Sequence, residues 1–278
     1  MVDADVDQCA GVWSDAFAES RRRLKRPALV VTDDAKEREC RRVRHLLHTD
    51  PGGSWVATSG DRVIGLAQSI RRERLWVLSL LSVAVDAQGA GVGRALLEVA
   101  LGPRPRGAHG LILSSPEPRA ASLYARTGFR PSPTMSAIGT VRLGGSPRGG
   151  VRQGGRDDLD LAADVDRRVR GAGHGPDLAY LVDQGCRLLV VDGRGYAVVG
   201  PDGPMLLAAG DPDAARDLLL SALLVTDGPV AVHGITAAQT WALPVIAAAG
   251  LELRPGGALM VAGTPGPLVP YVPSGPFG

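Results

Sequence analysis

The sequence predicts a mixed α/β fold in which two consecutive domains follow the same order of helices and strands. Three observations carry this prediction: a length of 278 residues, a glycine-rich stretch near the middle, and a pattern of elements that occurs twice. A chain of this length exceeds one typical domain of ~150 residues. The apolar content of 45% suffices for a core, which must be aliphatic because only 4% of residues are aromatic.

The first half begins with two amphipathic helices and continues with alternating strands and helices. The first helical pattern places Cys9, Val12 and Phe17 on one face. Short apolar or alternating runs bounded by turn residues predict the strands. The expected helices are 5–19, 33–48, 89–101 and 119–127, and the expected strands are 54–58, 63–70, 75–85, 111–114 and 134–141.

The second half repeats nearly the same order on a smaller scale, which suggests a tandem duplication. The expected helices are 157–168, 176–184, 213–224 and 236–249, and the expected strands are 187–192, 195–199, 205–209, 230–234 and 251–262. Proline is dense after Thr264, so residues 264–278 are expected to form an extended tail rather than an element.

Domain boundaries follow from composition. The Gly-rich polar stretch around residues 144–150 is typical of a linker. We therefore expect a first domain over 1–143, a second over 151–263 and a tail over 264–278.

Composition also argues against several classes of protein. Three cysteines are too few for a disulfide framework or a metal quartet, which favours a reducing, cytoplasmic location and no metal site. No apolar run approaches the ~20 residues that span a bilayer. Few aromatics and no known motif argue against a nucleic-acid partner, and the basic run at 21–26 is expected to be a solvated helix end. Basic residues dominate the first half and acidic ones the second, which hints at an anionic ligand in the first.

The most informative segment joins a buried strand to a helix through alternating glycines. Gly89, Gly91 and Gly93 allow positive φ angles and a close approach of ligand to backbone. The unpaired amides of a helix start attract anions, and Arg94 adds positive charge in the first turn. A phosphate or pyrophosphate site is therefore predicted here.

The spacing of these glycines distinguishes among phosphate-binding motifs. A dinucleotide fingerprint fails because Arg94 or Leu96 stands at its last position, and no Lys-Ser/Thr follows to make a P-loop. The run instead resembles the coenzyme A loop of the GNAT N-acetyltransferase family, Q/R-x-x-G-x-G/A. Gln88, Gly91 and Gly93 stand at its three defined positions.

A second segment supports this resemblance. Tyr124, Gly128 and Phe129 match a downstream GNAT motif in which a helix carries a Tyr shortly before a Gly-Phe turn. Taken alone, the pattern also fits a core tyrosine followed by a glycine C-cap. Two departures are that Pro118 stands where many relatives carry Asn, and that the family's first strand is expected to be short or absent.

The resemblance implies transfer of an acetyl group from acetyl-CoA to a primary amine of a small molecule or protein. The pantetheine arm of coenzyme A is expected to pair with the backbone of Val83 and Val85, where the family splits adjacent parallel strands. Tyr124 is the expected general acid for the departing thiolate. The expected cofactor-binding residues are Val83, Ala84, Val85, Gln88, Gly89, Ala90, Gly91, Val92, Gly93 and Arg94.

The general base stays unassigned, because the strand before the loop offers only Ser79 and Ser82, with Glu73 at its beginning. The second half has Asp211 and Asp213 at the equivalent of the loop and lacks Gly-x-Gly, so it resembles a GNAT domain without cofactor. His174 is expected to be a loop histidine with a local hydrogen bond.

Two alternatives to a monomeric or homodimeric acetyltransferase remain open from the sequence. A non-catalytic acyl-CoA-binding or sensing protein would use the same loop without turnover. A nucleic-acid binder would require the basic residues of the first two helices to form one surface.

Overall fold

The computed structural model describes residues 1–26, 31–102, 107–144 and 150–278, and these residues form two compact units. The first unit comprises residues 1–71 and 76–108, and the second comprises residues 72–75 and 109–278. Over the described ranges the elements are α-helices and two β-sheets, which confirms the predicted mixed α/β class. Among the described helices, none combines the length and the apolar composition that a transmembrane span requires.

The first unit consists of two helices, three adjacent strands and a third helix. Thr32 caps the second helix by accepting a hydrogen bond from the Ala35 amide at 3.2 Å. Arginines in the last turn of the first helix complement its dipole. The elements are α1 (Val6–Arg23), α2 (Asp33–Thr49), β1 (Ser54–Ser59), β2 (Arg62–Arg72), β3 (Leu75–Val83) and α3 (Val92–Leu101).

The β2 strand supplies both faces of this unit's core, because consecutive residues of a strand point to opposite sides. Leu66 packs in a cluster with Cys9 and Val12 of α1. Ala67 packs in another cluster with Leu96 of α3. The helix α3 therefore lies on the opposite face of the sheet from α1.

The second unit contains the remaining helices and strands. One of its core clusters contains the leucines and alanines of a buried helix, α7, together with apolar residues from strands of both sheets. The elements are β4 (His109–Ser114), α4 (Pro118–Arg126), β5 (Arg130–Thr140), β6 (Arg152–Gln153), α5 (Leu159–Val169), α6 (Pro176–Asp183), β7 (Arg187–Val191), β8 (Gly195–Gly200), β9 (Gly203–Ala209), α7 (Pro212–Leu224), β10 (Pro229–Thr236), α8 (Leu243–Ala248), β11 (Glu252–Ala262) and β12 (Tyr271–Val272).

Four strands of this unit exchange partners between the two sequence halves. The β11 strand of the second half lies between β4 and β5 of the first half and pairs antiparallel with both. The β5 strand pairs in turn with β10 of the second half. The β11 strand therefore joins β4, the strand before the last helix of the first half, and β5 joins β10, the strand before the last helix of the second half.

A bulge in β11 makes this central position possible. The register of β11 against β5 shifts between Pro255 and Ala258. A Cβ added at Gly257 would lie 1.8 Å from the Ser114 carbonyl oxygen, so only glycine fits there. Proline inside a central strand is tolerated at such bulges.

The expectation that residues 264–278 form no element is wrong, and we call this segment the strap. Its residues Tyr271–Val272 form β12, which pairs antiparallel with β9. Leu268, Tyr271, Val272, Ser274 and Phe277 are all buried. Proline density correctly indicated an irregular chain, but Pro265, Pro270 and Pro273 are buried in the second unit instead of projecting into solvent.

Other boundaries differ from the expectation in smaller ways. The helix expected over 236–249 is shorter, because β10 continues to Thr236 and Pro244 falls in the first turn of α8. The two-residue strand β6 was not predicted. The predicted linker at 144–150 falls mainly on residues 145–149, which lie outside the described residues, and the domain boundaries stay a prediction.

Candidate functional site

The glycine-rich loop lies in the first unit and connects β3 to α3. The Ala84 amide donates a hydrogen bond to the Ile64 carbonyl at 2.9 Å, which fixes the end of the strand against β2. The Gln88 side-chain amide donates to the Val83 carbonyl at 3.0 Å. Gln88 therefore closes the loop on the strand end that precedes it, a role that the sequence motif alone did not reveal.

Two of the three loop glycines adopt the backbone conformation that favours glycine. Gly89 and Gly91 have φ angles of +87° and +88°. A Cβ added at either would meet no atom within 4 Å, so the space above them is open. Gly93 does not share the positive φ expected of it. It lies inside α3, where its Cβ would contact a Val83 methyl at 3.4 Å.

The start of α3 carries no side-chain cap. Gly91 is the N-cap, and the first turn holds no acidic residue. The first internal bond joins the Ala95 amide to the Gly91 carbonyl at 3.0 Å, so the amides of Val92, Gly93 and Arg94 precede the helical ladder. Such amides, together with the helix dipole, favour an anion.

Charged side chains near the loop are mostly paired. Arg94 is exposed and its Nε donates to Glu98 Oε1 at 2.8 Å. Asp86 accepts from Arg62 at 2.7 Å, and this hydrogen bond holds the pKa of its carboxyl below the usual range. Val85 and Ala90 are exposed, whereas Ala84 is buried and Val83 and Val92 are partly buried.

The corresponding helix start in the second half is closed by a carboxylate. Asp211 is the N-cap of α7 and accepts hydrogen bonds from the Asp213 amide at 3.1 Å and the Ala214 amide at 2.9 Å. Arg194 donates to the same carboxylate at 2.6 Å and, as the largest cause, lowers its pKa. Of the three positions whose amides are open in α3, two have amides bonded to Asp211 in α7, and the first is Pro212, which has no amide hydrogen.

Tyr124 lies in the second unit, near the end of α4. The helix ends in a Schellman motif, in which the Gly128 amide donates to Ala125 and the Phe129 amide donates to Tyr124 at 3.3 Å. The Tyr124 side chain is buried, and burial raises the pKa of its hydroxyl well above the usual value. The hydroxyl is therefore protonated throughout the physiological range.

The end of α8 in the second half repeats this backbone motif. The Gly250 amide donates to Ala247 and the Leu251 amide donates to Ile246, both at 3.1 Å. Ile246 thus occupies the position of Tyr124 and is equally buried. The Schellman motif belongs to the fold, and only the first half places a hydroxyl there.

Two of the three residues that sequence analysis weighed as bases, Ser79 and Glu73, are engaged in hydrogen bonds. Ser79 accepts a hydrogen bond at 2.6 Å from the buried guanidinium of Arg42, which also pairs with Glu39. Glu73 lies in the second unit, where it accepts from Arg167 at 2.9 Å and from the Gly173 amide at 3.2 Å. Sequence analysis missed Arg42, because an arginine on an amphipathic helix gives no sign of burial.

His174 is confirmed as a loop histidine with a local hydrogen bond. Its Nδ1 lies 2.6 Å from Asp166, and the Tyr196 hydroxyl donates to the same carboxylate at 2.6 Å. All three side chains are buried.

Comparison with known proteins agrees with the motif. Residues 50–131 match the family model described as an acetyltransferase (GNAT) domain. Among curated protein sequences, none matches the chain.

Several solved structures share the fold. A Pyrococcus horikoshii protein described as a candidate acetyltransferase has a TM-score of 0.81 at 17% identity, covering 100% of this chain and 94% of its own. A GCN5-related N-acetyltransferase from Kribbella flavida has a TM-score of 0.54 at 16% identity, covering 94% and 69%. A tandem GNAT protein from the clavulanic acid biosynthesis pathway has a TM-score of 0.54 at 16% identity, covering 94% and 96%. These likenesses confirm the predicted tandem GNAT-like fold.

Proposed function

We propose that this chain, which carries a GNAT acetyltransferase domain over residues 50–131, moves an acetyl group from acetyl-CoA to a primary amine. The acceptor is a small molecule or a protein. The observation that carries the proposal is the uncapped start of α3, which follows two glycines of positive φ and has no acid in its first turn. An anionic group fits such a helix start.

The loop residues divide the work of holding coenzyme A. The amides of Val92, Gly93 and Arg94 would hold the pyrophosphate, and the open space above Gly89 and Gly91 would admit it. The backbone of Val83, Ala84 and Val85 would hold the pantetheine arm. Gln88 keeps the strand end and the loop together, while Ala90 remains exposed.

Bound acetyl-CoA supplies an activated thioester. In the transfer, the amine nitrogen forms a bond to the acetyl carbon and gives up one proton to solvent, the carbon–sulfur bond breaks, and the sulfur takes up a proton. We propose Tyr124 as the donor of that proton, because its segment resembles the GNAT motif in which a helix carries a tyrosine shortly before a Gly-Phe turn, and a tyrosine hydroxyl is protonated at neutral pH. We assign no residue as the base for the acceptor amine.

The three cysteines are free, which supports a reducing compartment such as the cytoplasm.

The binding step is tested by placing a carboxylate at the N-cap of α3. In Gly91→Asp, the new charge opposes the pyrophosphate, and the affinity for acetyl-CoA should fall ~100-fold or more. Thermal melting with and without acetyl-CoA measures this, since a ligand of the folded state raises the melting temperature.

The matched control is Gly60→Asp. Gly60 also has a positive φ and open space around it, but it lies in the turn between β1 and β2. In Gly60→Asp, acetyl-CoA should raise the melting temperature as much as it does in the wild type. If acetyl-CoA raised the melting temperature of Gly91→Asp by the same amount, the cofactor would bind elsewhere. Binding without release of thiol for any amine in a panel would contradict acetyl transfer and favour an acyl-CoA sensor.

A further inference from the structure

The strap pairs with the strand of the second half that corresponds to β3. Tyr271 lies opposite Ala208, Val272 lies opposite Leu207, and the Ala209 amide donates to the Pro270 carbonyl at 3.3 Å. These partners form the end of β9, directly before the start of α7. In the first half, the same place is the end of β3 directly before the glycine loop.

The strap also lies against β10, the next strand along the chain. Near their beginnings β9 and β10 are in contact, because the Ala231 amide donates to the Asp202 carbonyl at 2.9 Å. Farther along β10, a Cβ added at Gly234 would lie 2.6 Å from a ring carbon of Pro273. The strap thus contacts both strands in the region beyond their first contact.

Buried hydrogen bonds hold the strap on one side of β12. The Gln239 side chain donates to the Leu268 carbonyl at 2.7 Å and accepts from the Tyr271 amide at 3.0 Å. The Leu268 amide donates to the Val169 carbonyl at 2.9 Å. Gln239 is 3% exposed, so both of its bonds to the strap are shielded from water.

A second set of contacts holds the other side. The fully buried Arg170 donates to the Phe277 carbonyl at 3.1 Å. The Phe277 ring packs edge-on against Tyr180 with ring centroids 6.2 Å apart. The strap is therefore anchored on both sides of the pair that it forms with β9.

We propose that the strap is a fixed internal ligand of the second half, covering the strand end on which the first half takes the arm of coenzyme A. This inference rests on the proposed function for its comparison with the first half. The backbone groups of β9 that an arm would use are satisfied by the chain itself. The second half is closed twice, by the strap at the strand and by Asp211 at the helix start, and one chain binds one cofactor.

Hydrogen exchange on the full chain tests the strap directly. Without cofactor, the amides of residues 207–209 and of the non-proline residues in 268–274 should exchange slowly, because opening them requires the buried anchors to break. Acetyl-CoA should slow exchange in residues 83–101 and leave the strap and β9 unchanged. Faster exchange in 268–274 on adding acetyl-CoA would show that the cofactor displaces the strap, and would overturn the proposal.

The two proposals fail in different ways in this experiment. Fast exchange at 207–209 without cofactor would overturn the proposal that the strap covers β9, independently of the result for residues 83–101. Unchanged exchange at 83–101 with acetyl-CoA overturns the proposed cofactor site, while slow exchange at 207–209 continues to support the strap as the cover of β9.

A matched pair of variants identifies the anchor. Gln239→Ala leaves the Leu268 carbonyl and Tyr271 amide without their partner, so exchange of 268–274 should rise ~10-fold or more. Gln153→Ala removes an exposed glutamine side chain and should change nothing. Equal exchange in the two variants would contradict the anchoring.

A second pair of variants avoids the buried glutamine. A Cβ at Gly266 would lie 2.3 Å from the Val169 carbonyl oxygen, whereas a Cβ at Gly275 would meet nothing within 4 Å. Gly266→Ala should loosen the strap and speed its exchange, and Gly275→Ala should not. Unchanged exchange in Gly266→Ala would overturn the proposed docking.

Calorimetry separates the strap from the carboxylate at the helix start. Asp211→Gly removes the charge at little cost to the cap, yet the strap still covers β9. One acetyl-CoA per chain is expected for this variant and for wild type. A second site in Asp211→Gly would show that the carboxylate alone had closed the second half, and would overturn the role of the strap.

Discussion

The starts of α3 and α7 are built on the same plan and end in opposite states. Each follows a buried strand through a short connection, and each begins a helix with a buried apolar face. Gly91 leaves the first amides of α3 open, whereas Asp211 fills those of α7 with its own carboxylate. One side chain at the N-cap decides whether a helix start is stabilised by the chain or remains available to an external anion.

The ends of α4 and α8 show the complementary case. Both close in a Schellman motif through Gly128 and Gly250. The position that Tyr124 occupies in the first half is occupied by Ile246 in the second half, and both side chains are buried. The shared backbone motif is therefore a feature of the fold. A catalytic role is expected only in the half whose side chain at this position carries a polar group.

The largest effect is expected when the Tyr124 hydroxyl is removed. Tyr124→Phe keeps the buried ring but loses the proposed proton donor, so turnover should fall ~10²–10⁴-fold while the affinity for acetyl-CoA is nearly unchanged. The steady-state release of thiol and the dissociation constant measure the two quantities. Because burial raises the pKa of this hydroxyl, an alkaline loss of activity is not expected from Tyr124.

Tyr271→Phe is the matched control. The Tyr271 hydroxyl is also buried and has no hydrogen-bond partner among the described residues. Its loss should leave turnover unchanged. Full turnover by Tyr124→Phe would make Tyr124 a core residue like Ile246.

An intermediate effect is expected on the stability of the second half. Asp211→Ala removes the cap of α7 and should lower the free energy of unfolding by ~1 kcal/mol. The folded pKa of Asp211 is lowered, so its contribution is complete at neutral pH and is lost as the pH falls below the ordinary carboxyl range. Denaturant melts at neutral and acid pH measure the difference.

The control for this variant is Asp227→Ala, an exposed loop aspartate. It should leave the free energy of unfolding within the small range of surface substitutions. A cost in Asp211→Ala that persists in acid would assign the effect to packing rather than to the carboxylate.

The smallest effect is expected from Arg94. Its guanidinium is exposed and pairs with Glu98, so Arg94→Ala should weaken acetyl-CoA binding by only ~2–5-fold. Arg216→Ala removes a partly exposed arginine that pairs with Asp213 near the start of α7, and should leave the affinity unchanged. Titration at low salt measures both, and equal losses would point to net charge rather than to the loop.

Local sequence patterns predicted most elements because most are decided locally. The glycines around Gly91 and the acid at Asp211 act within their own turns, so their consequences for α3 and α7 were predictable. The motif around Tyr124 likewise predicts the end of its own helix, α4, from neighbouring residues alone. The site residues nevertheless stay proposals, since a motif does not show a bound ligand.

Features that depend on distant partners were not predictable. The strands β6 and β12 have two residues each, which is too short for any periodicity. The buried guanidinium of Arg42 donates a hydrogen bond to Ser79, which lies far away in sequence. The sequence did not predict the exchange of β5 and β11 between the halves. Its pattern is equally compatible with each strand pairing inside its own half.

That exchange has a consequence for how the protein is made on the ribosome. The β4 and β5 strands lack the strand that lies between them until β11 has been synthesised, more than a hundred residues later. Until then, β4 and β5 keep unpaired edges, which are the places where partly made chains associate wrongly. The first half must therefore wait for the second, and such distant pairing is slow to form. If the gene were cut between the halves, the first product would lack β11 and the second product would lack β5. Each product would therefore need a strand of the other.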